Sequence, residues 1–258
     1  HIMGLFDKKY CDICGEKIGL LGNRKLEDGN LCKDCARKLS PWFSERRNSS
    51  VNEIKRQLEY REENRGRVEA FHITRTLGSG TKLLLDEDAG LFMVTSAKNI
   101  AEANPDVLAL SDVTGCTLDV EESSNELLHE DKDGNEVSYN PPRYEYSYDF
   151  YIIVNVNNPY FNEMRFRINP NSVEISPPPS IRPGVTLRFN PETNAEYKKY
   201  KQLGEEIRQI LVKVRDDARE KIEQAAAPKT AVSCPYCGAT TTPDASGCCE
   251  YCGGAVNG

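Results

Sequence analysis

Residues 11–35 read CDICGEKIGLLGNRKLEDGNLCKDC, and this stretch decides the fold of the N-terminal part of the chain. It holds Cys11-x2-Cys14, then 17 residues, then Cys32-x2-Cys35. The other end repeats the theme with Cys234-x2-Cys237, then 11 residues, then Cys249-x2-Cys252. Two thiolates separated by two residues can grip one edge of a zinc tetrahedron from a single tight turn, and two such pairs close the shell. No position is left for water or substrate. Both clusters therefore read as structural zinc sites: two ions, one held by Cys11, Cys14, Cys32 and Cys35, the other by Cys234, Cys237, Cys249 and Cys252.

Gly15 allows the positive φ that turns backbone amides toward sulfur. Lys25–Leu31 predicts a hairpin turning at Asp28-Gly29. Cys32-Lys33-Asp34-Cys35 runs on into Ala36-Arg37-Lys38-Leu39, a short helix, with Leu39, Trp42 and Phe43 covering the small core. Cys248 breaks the pattern of the second cluster. Cys249-x2-Cys252 restores it, so Cys249 is the expected ligand and Cys248 is spare. Cys116 stands alone on a predicted strand and reads as packing.

Disulfides are the competing use of such cysteines, and they need an oxidising compartment. Met3 reads as the natural start, with His1 and Ile2 added ahead of it. Residues 3–9 have no apolar signal core, no stretch approaches a membrane span, and Lys8 stands where a myristoylation signal needs Ser or Thr. The expectation is a reducing, cytoplasmic location, where paired Cys-x2-Cys turns favour metal.

The 258 residues carry a formal charge of -7. Two zinc-loaded tetrathiolates would add about -2 each. Residues 1–70 hold 15 Lys/Arg against 12 Asp/Glu, whereas residues 86–149 hold 3 against 16. Such an acidic centre repels phosphate backbones and anionic lipid, so nucleic acid and membrane are both disfavoured as partners.

Ser50-Val51-Asn52-Glu53 has capping-box spacing, and Val51, Ile54 and Leu58 recur helically to about Asn64, with Gly66 suited to the stop. The Arg- and Glu-rich face predicts a solvated connecting helix. From Val68 the period becomes that of strands: Glu69–Leu77, Thr81–Leu85, Leu91–Ser96, Val113–Glu121, Tyr144–Val156, Met164–Ile168 and Val173–Ser176. Residues 122–143 read as a long hairpin excursion, and Ser176–Ser180 as a stiff proline connection. Asn190-Pro191-Glu192 opens a helix to about Ala226, ended by Pro228. Its apolar face comprises Tyr197, Tyr200, Leu203, Ile207, Ile210, Leu211, Val214, Ala218 and Ile222.

Candidate catalytic motifs are few. Gly78-Ser79-Gly80-Thr81-Lys82 leads into the strand-like Leu83-Leu84-Leu85, not into the helix a phosphate loop requires. A calcium loop starting at Asp131 needs Gly at its sixth position and Glu at its twelfth, where Glu136 and Pro142 stand, so Asp131–Asn135 reads as a turn. His72 and His129 belong to no recognisable acid–base constellation.

Residues 3–70, beginning Gly4-Leu5-Phe6-Asp7-Lys8-Lys9 and carrying Cys11–Gly15 and Leu31–Cys35, resemble a family of bacterial proteins with an N-terminal LIM-like zinc finger of unassigned function. Residues 234–254 resemble the short zinc ribbon appended to many unrelated bacterial proteins. These resemblances imply zinc binding and a modular build, and they supply no reaction.

The reading is an α+β chain. A treble-clef-like zinc finger occupies residues 3–45 and a connecting helix 46–67. A central antiparallel β domain, a pleckstrin-homology-like barrel or a sandwich, spans 68–226 with its long C-terminal helix. A linker and zinc ribbon fill 227–258. The expected function is a non-catalytic adaptor or scaffold acting through protein contacts, with self-association through the long helix as one route. The alternatives are lipid-headgroup or small-ligand binding by the central domain, and nucleic-acid binding through the finger. Chelation is expected to unfold the two ends and spare the middle.

Overall fold

A computed structural model describes residues 8–179, 189–227, 230–244 and 246–256. The readings placed on Met3–Asp7, Ser180 and Pro228 lie outside these residues. The chain divides into two compact units, His1–Ala218 and Arg219–Gly258.

The first unit opens with β1 (Lys9–Tyr10) and β2 (Lys17–Ile18), paired antiparallel on either side of the first cysteine turn. The Lys25–Leu31 segment forms a hairpin too narrow to count as strands: Arg24 N–H donates to Leu31 O and Leu26 N–H to Gly29 O. Gly29 is required there for close approach. A Cβ at this position would lie 2.5 Å from Val51 Cγ2 and 2.7 Å from Asp12 Oδ2. Helix α1 (Lys33–Arg37) follows.

Helix α2 (Val51–Ala70) starts on the expected capping box, with Ser50 and Glu53 each accepting the other's backbone N–H. It does not stop near Gly66. The helix runs one turn further, because the roughly 1 kcal/mol cost of an exposed helical glycine is outweighed by burial of Val68 beyond it. This displaces the predicted Glu69–Leu77 strand to β3 (Arg75–Leu77).

Strands β3, β4 (Lys82–Asp86), β5 (Leu91–Thr95) and β6 (Leu108–Ala109) form an antiparallel sheet in chain order, with α3 (Ile100–Ala103) between β5 and β6. Its alternation is two-sided. Leu83, Leu85, Phe92 and Val94 face the main core, whereas Leu84 and Met93 pack with Val68 of α2 and with Val107. Strands β7 (Val113–Glu130) and β8 (Glu136–Val156) form a long hairpin around the Asp131–Asn135 turn. The Asp131 carboxylate accepts the Asp133 and Asn135 N–H groups at 2.8 and 2.9 Å, which explains the calcium-loop-like sequence as a turn. On its other edge β8 pairs with β9 (Glu163–Arg167) and, further out, β10 (Val173–Ile175).

Helix α4 (Ala195–Ala226) follows a 3-10 turn capped by Asn190. It packs Tyr197, Tyr200, Ile207, Leu211 and Val214 into the core between the two sheets. A Cβ on Gly204 would lie 2.5 Å from Leu118 Cδ1, so the helix sits close against β7. Ile222, assigned to the apolar face, is 55 % exposed: that face ends at Ala218. The expectation of a barrel is corrected here. Among the described residues the strands form separate antiparallel sheets of four and two strands, and no barrel closes.

The second unit carries the end of α4 and β11 (Val232–Ser233) paired with β12 (Thr240–Thr241). Its core is Cys234, Cys249 and Val256, with Val232 packed against them.

Candidate metal centres

Three of the four Cys-x2-Cys turns are built alike. Gly15 N–H donates to Cys11 O and Cys11 N–H to Glu16 O; Gly238 and Cys234, and Gly253 and Cys249, repeat the arrangement. The three glycines have φ of 76°, 72° and 71°, where any L side chain is strained. The fourth turn is different. Cys32 is the N-cap of α1, and its Sγ accepts the Cys35 N–H at 3.3 Å. A helix N-terminus favours negative charge, so this end suits a thiolate.

Folding gathers the sulfurs into two groups, Cys11, Cys14, Cys32, Cys35 and Cys234, Cys237, Cys249, Cys252, each with all Sγ atoms within 4.8 Å of one another. Individual Sγ pairs stand at 3.7 Å (Cys14–Cys32), 3.6 Å (Cys234–Cys252) and 3.8 Å (Cys237–Cys249). A tetrahedron with Zn–S bonds of about 2.3 Å has edges of about 3.8 Å. The spacing is that of ligands around one ion and far beyond a disulfide bond of about 2 Å. Further N–H groups reach the sulfurs from Cys32 to Cys11 Sγ at 3.3 Å and from Tyr236 to Cys234 Sγ at 3.4 Å. Two structural zinc ions fit these clusters.

Protonation behaviour agrees. At Cys11 burial pushes the thiol up, but the backbone N–H groups of Cys14, Cys32 and Ile13 outweigh it and bring it to about 6. Cys35 is driven well up, by burial first and then by the neighbouring thiols. In the second cluster burial raises Cys249, while the Cys252 and Tyr251 N–H groups and the Thr241 hydroxyl prevail and bring it to about 6. At Cys252 the Gly254 N–H pulls down, yet the adjoining sulfurs raise it to about 12. Backbone N–H groups draw down Cys11 in the first cluster and both Cys234 and Cys249 in the second, while Cys35, by burial first, and Cys252 are pushed the other way by the crowded sulfurs. A central dication cancels that crowding.

The remaining cysteines stand apart. Cys248 bridges Ala255 through its backbone, and its thiol turns to Ser246 O at 3.8 Å. Cys116 is buried on β7, its thiol pushed up to about 11 by burial. His72 lies in the exposed irregular stretch after α2, not on a strand, and its backbone N–H donates to Asp86 Oδ2. His129 is on β7 near the hairpin tip, its ring tilted against that of Tyr139 with centroids 4.6 Å apart.

A second constellation has no signature in the sequence. Arg61 of α2 is buried, and its guanidinium donates to Lys38 O at 3.1 Å, Asp106 Oδ1 at 2.9 Å and Asn104 O at 2.7 Å. Ser40 Oγ donates to Asp106 Oδ2, and Ser40 N–H to Gln57 Oε1. Asn64 joins Asn104, Pro105 O and Val107 N–H. Burial raises the Asp106 carboxyl above its ordinary range, against the pull of Arg61 and Ser40. Asn104 takes a left-handed backbone, φ 48°, to close α3 and present its carbonyl. The network fastens the residues after α1, the middle of α2 and the α3–β6 connection to one another. Finger residues share a core with Val51, Ile54 and Leu58 of α2, and Trp42, expected to cover that small core, packs against the main one.

Residues 9–57 match the family described as "Domain of unknown function (DUF4428)". The match spans the first cluster and ends in α2, at the helical turn whose side chains complete the finger core. No curated protein and no solved structure matches the chain.

Proposed function

We propose that this protein is a non-catalytic, two-zinc adaptor of the bacterial cytoplasm that works through protein contacts. The order of cysteine turn, hairpin and ligand-bearing helix supports a treble-clef finger at the N-terminus, and the paired turns of the second unit support a zinc ribbon. Four sulfurs per ion leave no position for an activated water.

The observation that carries the adaptor reading is the β7–β8 arm. Beyond Glu122–Tyr148 the ladder continues through Glu130–Glu136, and both strands are largely exposed. At about 3.4 Å per residue this is an arm of roughly 25–30 Å. Among the described residues β10 supplies its third strand only at Tyr146–Tyr148. A two-stranded ribbon is marginal alone. This one carries Glu126, Glu130, Asp131, Asp133, Glu136 and Glu145 against Lys132 and Arg143, with Leu128 and Tyr144 exposed among them. Such a surface suits a basic protein partner that adds strand or side-chain contacts along it. Self-association through α4 has less behind it, since Ile222 alone does not make a heptad seam.

The test shortens the arm, joining the register partners Glu126 and Tyr144 through an Asn-Gly turn, and compares proteins retained from the native host by the zinc-loaded full chain and by the variant. A partner lost with the arm, at unchanged thermal stability, supports the reading. Identical partners on both, or loss of folding in the variant, refutes the arm as the contact.

A further inference from the structure

Gly19-Leu20-Leu21-Gly22 is a tight turn at the tip of the finger, closed by Gly22 N–H donating to Gly19 O at 2.9 Å. The central positions of such turns ordinarily hold Asn, Asp, Ser or Gly. Here they hold two leucines, 89 % and 87 % exposed. The turn is seated on a rigid base: Ile18, one residue before it, is buried in the finger core, and a Cβ on Gly22 would lie 3.2 Å from Ile18 Cγ2.

The surroundings are basic. Arg24 Nη1 donates to Leu21 O at 3.3 Å and to Asn23 O at 3.5 Å, which sets a guanidinium against the turn itself. Lys9 is the register partner of Ile18, and Lys8 precedes it; Lys17 pairs with Tyr10, itself 54 % exposed. Lys25 is exposed on the other side of Arg24. The acids nearby are fewer: Asp12, engaged by the Asn30 N–H at 2.6 Å, and the exposed Glu16 and Glu27.

We propose that this tip docks the finger onto an anionic lipid bilayer, with Leu20 and Leu21 entering the acyl boundary and Lys8, Lys9, Arg24 and Lys25 meeting the headgroups. The two parts need each other. Two leucines alone offer less apolar area than stable anchoring requires, and a few cations alone are screened by salt; together they supply the two signals that reversible membrane attachment uses. The acidic residues of the chain's centre do not decide the matter at this tip, because their field decays over about 8 Å at physiological ionic strength. This goes beyond the adaptor reading and does not depend on the arm.

Co-sedimentation of the zinc-loaded full chain with phosphatidylcholine vesicles, with and without phosphatidylglycerol, tests it. Binding to the anionic vesicles alone is expected. Leu20→Ser with Leu21→Ser should weaken it by roughly ten- to a hundredfold. Arg24→Gln with Lys25→Gln should weaken it by roughly tenfold or more at low salt, and by less at high salt. Both variants should keep their zinc. No binding by the wild-type chain overturns the proposal, as does equal binding to both vesicle types or binding that survives the leucine changes. A wild-type dimer that the leucine variant converts to monomer assigns the tip to a second copy of this chain instead.

Discussion

Replacing Arg61 with alanine should destabilise the first unit far more than its place on a charged helix suggests. The Arg61 and Asp106 side chains are 7 % and 0 % exposed. Removing the guanidinium takes the charged partner from a buried carboxylate, leaving it Ser40 Oγ and its own backbone N–H, and frees the Lys38 and Asn104 carbonyls. Breaking a buried pair from one side costs about 3–5 kcal/mol. With a urea dependence of about 3 kcal/mol per molar, the midpoint should fall by about 1–2 M. The reporter is built in. Trp42 is the single tryptophan, and its backbone N–H donates to Ser40 Oγ within the network. In a Cys249→Ser background, which leaves only the N-terminal metal in question, chelation of the otherwise wild-type chain should shift the Trp42 signal together with zinc release. Arg61→Ala should separate the two. Pairing Arg61→Met with Asp106→Leu should recover about half of the loss, since the orphaned charge disappears. A midpoint shift under about 0.3 M, or zinc release that leaves Trp42 untouched in the background chain, would refute the coupling.

Three further outcomes are expected. Metal analysis should find two zinc ions per chain, one after Cys249→Ser and two after Cys248→Ser; the reverse pattern would move the ligand to Cys248. Gly29→Ala should lower zinc retention at the first cluster only, by about 1–3 kcal/mol of overpacking against Val51 and the hydrogen-bonded Asp12, and equal chelator competition at both clusters would count against it. Glu53 is held below the ordinary carboxylate range by the Ser50 N–H and hydroxyl. Its contribution is present above the free-glutamate value of about 4.3 and disappears as pH falls through the folded value. The melting-temperature gap between wild type and Glu53→Gln should therefore close in acid, and a gap that widens would show the capping box is not its source.

What was legible in the sequence was what is local. Cys-x2-Cys turns, the capping box and the Asp131–Asn135 turn each lie within a few residues, and the structure has them all. Strands β4 and β5 were readable because their hydrophobic runs are short and bounded by turns. The end of α2 was not, because Gly66 carries no side-chain contact and the burial that prolongs the helix comes from a sheet later in the chain. The face of α2 misled for a physical reason. Gln57, Arg61 and Asn64 line up with Ile54 and Val68 at helical spacing, so the buried stripe is largely polar. Periodicity of hydrophobic residues cannot detect a stripe whose burial is balanced by partners some 40 residues away. Barrel closure failed similarly, since which sheet edges meet depends on pairings between distant strands.

The two clusters look interchangeable as sequence and differ in what they hold up. The second has a core of three buried residues with Val232 against them, in a unit of 40 residues. That is too little apolar surface to fold unaided, so its metal supplies most of the folding energy, and loss of the metal is a local event. The first closes over Leu26, Leu31 and Ile54, and Ile54 belongs to the same helix whose Val68 covers a sheet of the main core. A change that loosens Cys11 or Cys35 therefore acts on α2, and α2 carries it through Arg61 to the α3–β6 connection. Chelation should therefore reach the middle of the chain from the N-terminal cluster, through α2, and stay local at the C-terminal one. On this argument, losing zinc at the N-terminal cluster should lower the first unit's stability, and losing it at the C-terminal cluster should unfold the second unit.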